Sequence, residues 1–257
     1  MKFSVIIPCH NGARYITKAL QSVQDQIHPA HEIIVVDDVS TDDSIEVIKN
    51  TGIPVRLFDV NCRSAGGARN EGIKQATGDL VAFLDADDFW YPHHLEEAAK
   101  LLNDSEDAVY MCHEDAMSHD EVEKYEFKPT WSLSHERPQQ GLSHDDFFRA
   151  FSEKFYFSPS GVIQKRERVL EVGGYDIDQI KRADVEQFMR VVHGQSWTWN
   201  PRPGWCYRVD TPGGLTRNIA SLEYYMLRCL LKNREAYAGE TMNWMIPHFA
   251  KRAMSTA

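Results

Sequence analysis

No run of about 18 consecutive apolar residues occurs anywhere in the chain, so the sequence contains no pattern for a membrane-crossing helix. Met1-Lys2 leads directly into Phe3-Ser-Val-Ile-Ile7, with neither a cleavable apolar segment nor a small-residue cleavage site, and the expectation is a cytoplasmic protein. Cysteine is scarce. The five present (Cys9, Cys62, Cys112, Cys206 and Cys229) are odd in number and widely spaced, which predicts free thiols and offers no zinc-ligand spacing. Positive charge is also short: 28 Lys and Arg stand against 38 Asp and Glu, a net charge of −10 over 257 residues. Without a basic field to neutralise phosphates, nucleic acid is not an expected partner. Repeats and low-complexity tracts are absent, and a composition of 42% hydrophobic and 26% charged residues is that of an ordinary globular chain.

The charge that is present is unevenly placed. Acids dominate from Asn103 to Glu126, where Lys124 is the single base, and Lys and Arg outnumber the acids from Arg202 to Ala257. Such runs read as solvated faces; the alternative for the basic tail is an approach to an anionic membrane surface or a phosphorylated acceptor.

Along the first hundred residues two periods alternate. Phe3 to Ile7, Glu32 to Val36, Val55 to Phe58 and Leu80 to Leu84 are short apolar, β-branched runs of strand length, and helical stretches lie between them at Ala13 to Gln26, Asp42 to Asn50 and Gly66 to Ala76. That order predicts an α/β fold with an open, mostly parallel, doubly wound sheet. Ser40-Thr41-Asp42 supplies an N-cap for the second helix, and Gly78 is expected at positive φ after the third. Val109 to Cys112 reads as a further strand, residues 113 to 145 as a polar excursion without a period, and Ser196 to Asn200 and Trp205 to Val209 as two strands. Helices are expected at Ala183 to His193 and Ser221 to Ala238. In the latter, Leu222, Tyr225, Met226, Cys229 and Leu230 make an apolar stripe for the core or for a homodimer.

In an open parallel sheet, ligands gather beyond the carboxyl ends of the strands. Those ends carry Pro8-Cys9-His10-Asn11, Asp37-Asp38 and Asp85-Ala86-Asp87-Asp88. Asp38 reads as an acceptor for a base or ribose, or as a loop cap. Asp85, Asp87 and Asp88 would repel one another without compensation, and a divalent Mg²⁺ or Mn²⁺ ion bridging a diphosphate is the natural compensator. Two other readings remain: a helix-capping acidic turn, and a phosphohydrolase with Asp85 as nucleophile.

Seven segments together resemble family 2 inverting glycosyltransferases, which have the nucleotide-diphospho-sugar transferase fold. They are Ser4-Val-Ile-Ile-Pro8, Val36-Asp-Asp-Val-Ser40, Ala68-Arg-Asn-Glu-Gly-Ile73, Phe83-Leu-Asp-Ala-Asp-Asp88, Ser160-Gly161, Val172-Gly-Gly-Tyr-Asp176 and Asp184-Val-Glu-Gln-Phe-Met-Arg190. The resemblance spans residues 2 to 217. It implies that Pro8, Cys9, His10 and Asn11 border the nucleoside, that Asp38 accepts from the base, and that Arg69 offsets phosphate charge or braces the acidic loops. It further implies that Asp85 and Ala86 face the ribose and diphosphate, that Asp87 ligates the metal, and that Asp184 is the general base. The donor would be a nucleoside-diphosphate sugar, with a UDP-sugar favoured, and the acceptor a glycan, lipid-linked or other hydroxyl.

The sequence departs from the family pattern in three places. Ala183 stands where a Glu usually precedes the base, leaving Glu186 as the candidate substitute. Tyr207-Arg208-Val209-Asp210 lacks the usual histidine, making Asp210 the candidate third metal ligand. His10 stands where an aromatic residue is common. The expectation is one compact unit, with residues 1–112 as the donor half and 113–257 as the acceptor half; a non-catalytic sugar-binding relative is the third alternative.

Overall fold

The computed structural model describes residues 1–125, 137–147, 158–209, 219–233, 245–247 and 249–251. The first part alternates as expected: β1 (Phe3–Cys9), α1 (Ile16–Gln24), β2 (Glu32–Asp38), α2 (Ser44–Asn50), β3 (Arg56–Val60), α3 (Ala65–Gln75) and β4 (Leu80–Phe83). It continues with β5 (Phe89–Trp90), α4 (His94–Asn103), β6 (Val109–Met117), α5 (His119–Lys124) and β7 (Gln139–Leu142). A short 3₁₀ turn (Pro159–Gly161), β8 (Val162–Lys165), α6 (Arg166–Glu171), α7 (Ala183–Val192), β9 (Trp197–Arg208) and α8 (Ile219–Lys232) follow.

All nine strands join one sheet in the order β3-β2-β1-β4-β8-β6-β9-β5, with β7 paired to β9. The β3-β2-β1-β4 block is parallel, and β8 enters antiparallel to both β4 and β6. Strand alternation sends Ile6, Ile34, Val36, Val81 and Phe83 to one face, where α3, α6, α7 and α8 cover them. Val5, Ile7, Ile33, Val35, Ala82 and Leu84 go to the other, against α1, α2 and α4. Both faces are therefore dry, which is why these strands read as continuous apolar runs.

Four expectations change. Residues 113–117 continue β6 and residues 119–124 form α5, closed by a Ser118–Glu121 capping box, so that part of the polar excursion is regular structure. The two strands expected around residues 196–209 are one strand, β9. Its partner register steps from Cys112↔Asn200 to His113↔Pro203, so Pro201 and Arg202 bulge out where a proline has no ladder bond to give. Gly78 is not at positive φ. Its role is close approach: an added Cβ would lie 2.6 Å from the Lys2 carbonyl oxygen, and its N–H donates to Ser4 Oγ at 2.9 Å. Of the α8 stripe, Met226, Cys229 and Leu230 are buried in this chain's own core, which narrows these three to a core role.

At the amino ends of the strands, opposite the acidic loops, Glu32 ties β1, β2, β3 and the α3–β4 turn together. It accepts from Ser4 Oγ (2.7 Å), from the N–H (2.6 Å) and Oγ1 (2.7 Å) of Thr77, and from Arg56 (2.5 Å). Burial alone would push the Glu32 carboxyl up; the bonds from Ser4, Thr77 and Arg56 outweigh it and hold the group at about 2. A depressed carboxyl stabilises the fold above its ordinary value, and that contribution is lost as pH falls from about 4.5 towards 2. Glu32→Gln should therefore be less stable than the parent at pH 7 by at most about 3 kcal/mol, less where solvent screens the Arg56 pair. The gap should narrow by more than half as pH falls to 3 and close only below about 2; a constant difference across acid titration of the unfolding midpoint would refute it.

Candidate active site

The strand order places the carboxyl ends of β2, β1 and β4 side by side, and the three acidic or polar loops meet there. Within the β1 loop, His10 Nδ1 lies 2.7 Å from the Asp38 carbonyl oxygen, which can only accept; Nδ1 therefore carries the proton and Nε2 accepts from Asn11 Nδ2 at 3.2 Å. Asn11 Oδ1 in turn accepts from the Thr41 N–H at 2.8 Å. His10 and Asn11 are exposed, Pro8 is half-buried, and the Cys9 side chain is buried in the core, where burial foremost pushes its thiol to about 11.

Asp38 is 5% exposed and holds the β3–α3 loop. Its Oδ1 accepts from the N–H groups of Cys62 (2.7 Å) and Arg63 (2.9 Å), and Oδ2 accepts from Ser64 (2.8 Å). A carboxylate has about four acceptor sites, so one on Oδ2 remains for a ligand. Asp38→Ala strands three amides and should lower unfolding stability by about 1–3 kcal/mol and weaken nucleotide binding as well. Loss of one without the other, by denaturant melts beside calorimetry, would separate loop holding from ligand contact.

The acidic turn leaves β4 with each carboxylate in a different environment. Asp85 forms an ion pair with Arg69 NH2, and its N–H donates to Ser160 Oγ at 3.1 Å. Asp88 is buried, its Oδ2 accepting from Ser160 Oγ at 2.6 Å and its Oδ1 from the Arg208 N–H at 3.3 Å. Burial first, then the charges of Asp87 and Asp85, push the Asp88 carboxyl well up. Asp85, Ala86 and Asp87 are partly accessible.

A clamp between distant motifs holds residues 172–176 against α3. Asn70 on α3 accepts from the Tyr175 N–H at 2.7 Å and donates to the Tyr175 carbonyl at 2.8 Å. Gly174 sits beneath it at φ +69°, where an added Cβ would fall 2.3 Å from Asn70 Oδ1. Tyr175 is thereby placed with its ring 5.4 Å from the Arg69 guanidinium and 5.5 Å from Phe83. Burial raises the Asp184 carboxyl above its ordinary value, opposed by Arg182, the Val185 N–H and Arg69, and reinforced by Asp85. Arg69 feels both Asp85 and Asp184: burial lowers its pKa, and these two charges with Tyr175 more than restore it. The buried guanidinium therefore links the acidic turn to the start of α7. Glu186 does not replace the acid missing at Ala183. It is 1% exposed and taken by Arg190, which bonds it at 2.8 and 2.6 Å and also holds the Gly174 carbonyl at 2.7 Å.

A profile of the family described as glycosyl transferase family 2 matches residues 4–162, more than half of the chain. The chain belongs to glycosyl transferase family 2. Among relatives of this family, an uncharacterized glycosyltransferase of Nostoc sp. is 44% identical over 120 residues, 45% of this chain and 37% of its own length. Uncharacterized glycosyltransferase YibD of Escherichia coli is 32% identical over 202 residues, 77% of this chain and 55% of its own. TarS of Staphylococcus aureus, a poly(ribitol-phosphate) beta-N-acetylglucosaminyltransferase, is 35% identical over 117 residues, 43% of this chain and 20% of its own. The chain thus spans between about a fifth and just over half of these curated relatives. In overall structure it resembles TarS 1–349 in complex with UDP-GlcNAc, with a TM-score of 0.75 at 20% identity, covering 99% of this chain and 73% of that one. It likewise resembles the mannosyltransferase PcManGT from Pyrobaculum calidifontis in complex with GDP-Man and Mn²⁺, with a TM-score of 0.68 at 18% identity, covering 99% and 73%.

Family membership leaves the phosphohydrolase reading without support, and Asp85, its required nucleophile, is engaged by Arg69. Among the described residues no three His, Cys, Asp or Glu side chains converge as a metal cage. A family 2 cleft needs none, because Mg²⁺-like ions are commonly held by one or two carboxylates together with substrate phosphates. Asp87 on this turn is partly accessible, and its carboxylate oxygens are donors of the kind such a hard cation takes. Asp210 lies outside the described residues.

Sequence reasoning missed Asn70, Tyr175 and Arg208 as site builders, and gave Ser160 no role. One conformational signal does mark the site. Among the described residues, the non-glycine positions at positive φ are Asn11 (52°), Val39 (53°), Arg63 (53°) and Arg182 (60°). Asn11 is itself a site residue, Val39 follows Asp38, Arg63 is bonded to Asp38, and Arg182 is two residues before Asp184. For a β-branched residue such as Val39 this conformation is strained, and strain of this kind gathers at functional sites.

Proposed function

We propose that the chain transfers a sugar from a nucleoside-diphosphate donor, a UDP-sugar by preference, to an acceptor hydroxyl, inverting the anomeric carbon and depending on a divalent metal. The carrying observation is the Arg69 bridge, which puts the donor-side turn and a raised carboxyl at Asp184 into one electrostatic unit. The preference for UDP rests on TarS, whose structure holds UDP-GlcNAc.

In this reading the β1 loop and Asp38 hold the nucleoside, Asp85 and Ala86 face the ribose and diphosphate, and Asp87 holds the metal. A bound Mg²⁺ or Mn²⁺ ion would supply Lewis-acid stabilisation of the leaving diphosphate. Arg69, fixed by Asp85 and Tyr175, offsets anionic charge from the other side. Asp184 takes the proton from the acceptor oxygen as that oxygen attacks the anomeric carbon from the face opposite the leaving group. A carboxyl raised by burial is a better base for that proton than an ordinary one, because catalytic pKa values work best near the operating pH. Residues 1–112 form the donor half and 113–257 the acceptor half, yet β6 runs through residue 112 and one sheet unites them.

The deciding experiment incubates the protein with UDP-GlcNAc and Mn²⁺ against glycan, polyol-phosphate and lipid-linked acceptors and reads the product's anomeric configuration by NMR. A β-linked product from the α-linked donor supports the proposal. Retention of configuration, or release of inorganic phosphate from a phosphorylated Asp85, would overturn it.

A further inference from the structure

The acidic turn is flanked by two buried guanidiniums, and only Arg69 has a part in the reaction as described. The second, Arg208, ends β9 at 1% exposure. Its Nε–H donates to the main-chain oxygen of Asp87 at 2.9 Å, and its own N–H donates to Asp88 Oδ1 at 3.3 Å. One terminal nitrogen lies 2.5 Å from His119 Nδ1 and 3.4 Å from Glu123 Oε1 on α5, and the guanidinium carbon lies 4.8 Å from the Tyr15 ring centroid. Three elements therefore hold this side chain in place, and what it holds in turn is the peptide from which the Asp87 side chain projects. A buried cation is weak evidence for stability, since an apolar residue of like volume often serves the fold as well. A fixed fork of donors is a different matter, because it sets the direction of the group it grips.

We propose that Arg208 is a positioning residue for the donor site, fixing the Asp87 peptide so that the acidic turn presents its carboxylate to the metal–diphosphate group. The proposal deepens the sugar-transfer reading and rests on it. Tyr15 and His119 keep the guanidinium plane in register, so the turn's geometry is set from α1 and α5 as well as from β4. A lysine would preserve the charge but, as a single ammonium on a flexible stem, would not grip Asp87 and His119 together in one plane.

The test compares the parent with Arg208→Lys by three measurements: thermal melting, calorimetric binding of UDP with and without Mn²⁺, and hydrogen exchange of residues 85–89 without ligand. The expected result is a cooperatively folded variant whose Mn²⁺-dependent UDP binding is at least about tenfold weaker, whose metal-free UDP binding is within twofold of the parent, and whose 85–89 amides exchange faster. Restoration of parental binding and exchange by lysine would overturn the proposal, because charge alone would then suffice. Should Arg208→Lys fail to fold, His119→Leu carries the same test. It removes one brace and leaves Arg208 present, so it should shift binding and exchange in the same direction, and parental values for both would overturn the proposal. A parent that binds no nucleoside diphosphate with Mn²⁺ counts against the sugar-transfer reading; Arg208 is then judged on the 85–89 exchange alone, where an unchanged rate overturns it.

Discussion

Asp184→Asn should lower turnover by about 10²- to 10⁴-fold, the range for a positioned acid–base group. Donor affinity should stay near the parental value, because the phosphates and nucleoside are assigned to the β1, β2 and β4 loops. Two companion results distinguish a base from a helix-terminus residue. The acid limb of the parental pH–rate profile should lie above the ordinary carboxylate range, since burial raises the Asp184 carboxyl, and it should vanish in Asp184→Asn. Stability should not fall. A raised carboxyl favours the fold below its ordinary value and loses that contribution as pH rises through the folded value, so at neutral pH the ionised group is a net cost that asparagine removes. Near-parental turnover with a lower melting temperature would assign Asp184 to structure instead. The alanine at position 183 sharpens this experiment, because Glu186 is committed to Arg190 and no neighbouring acid within α7's first turn stands ready to take over.

The second large effect concerns Asp87→Ala. In the parent, UDP with Mn²⁺ at a hundred times the dissociation constant should stabilise the fold by about 2.7 kcal/mol through mass action. In Asp87→Ala the added Mn²⁺ should contribute nothing beyond UDP alone, while the ligand-free melting temperature remains close to the parent's. The side chain is partly accessible and the turn's backbone is held independently by Ser160, through the Asp85 N–H, and by Arg208. Calorimetry showing the parental metal dependence in Asp87→Ala would remove Asp87 from the metal assignment. Asp88→Ala is a useful contrast. Its carboxyl bonds Ser160 and the Arg208 N–H, so its loss should appear mainly as a lower melting temperature.

The parallel block could be read from the sequence because its strands are buried on both faces, so apolar residues follow one another at residues 5–7 in β1, 33–36 in β2 and 80–83 in β4. The far side of the sheet could not. Glu114 and Asp115 pair with Trp205 and Cys206, 91 residues further along the chain, and β9 carries Pro201 and Pro203, which argue against a strand until the bulge opposite Cys112 and His113 is known. The site divides the same way. Asp38, Asp85, Asp87 and Asp184 could be proposed from the sequence because each stands at the end or start of an element with a local signature. Asn70 gripping Tyr175 across 105 residues and Arg208 gripping Asp87 across 121 leave no such mark, since either residue is unremarkable in its own neighbourhood. The loop-holding role of Asp38 has the same origin: its partners, Cys62 to Ser64, are brought to it by β3.

The position of β9 has a consequence for how the molecule is made. During synthesis β1 to β4 can pair as they emerge, but among the described residues β5 pairs only with β9, and β9 lies between β6 and β5 although it is the last of the described strands. The acidic turn therefore waits, with its Asp87 carbonyl unclaimed, until residue 208 has left the ribosome. A nascent chain stopped near residue 112 would carry every donor-side motif in its sequence and still lack Ser160, Tyr175 and Arg208, the groups that hold those motifs in place. Non-local pairings of this kind fold late and slowly, so in the proposed reading the donor site takes shape only after β9 has joined the sheet.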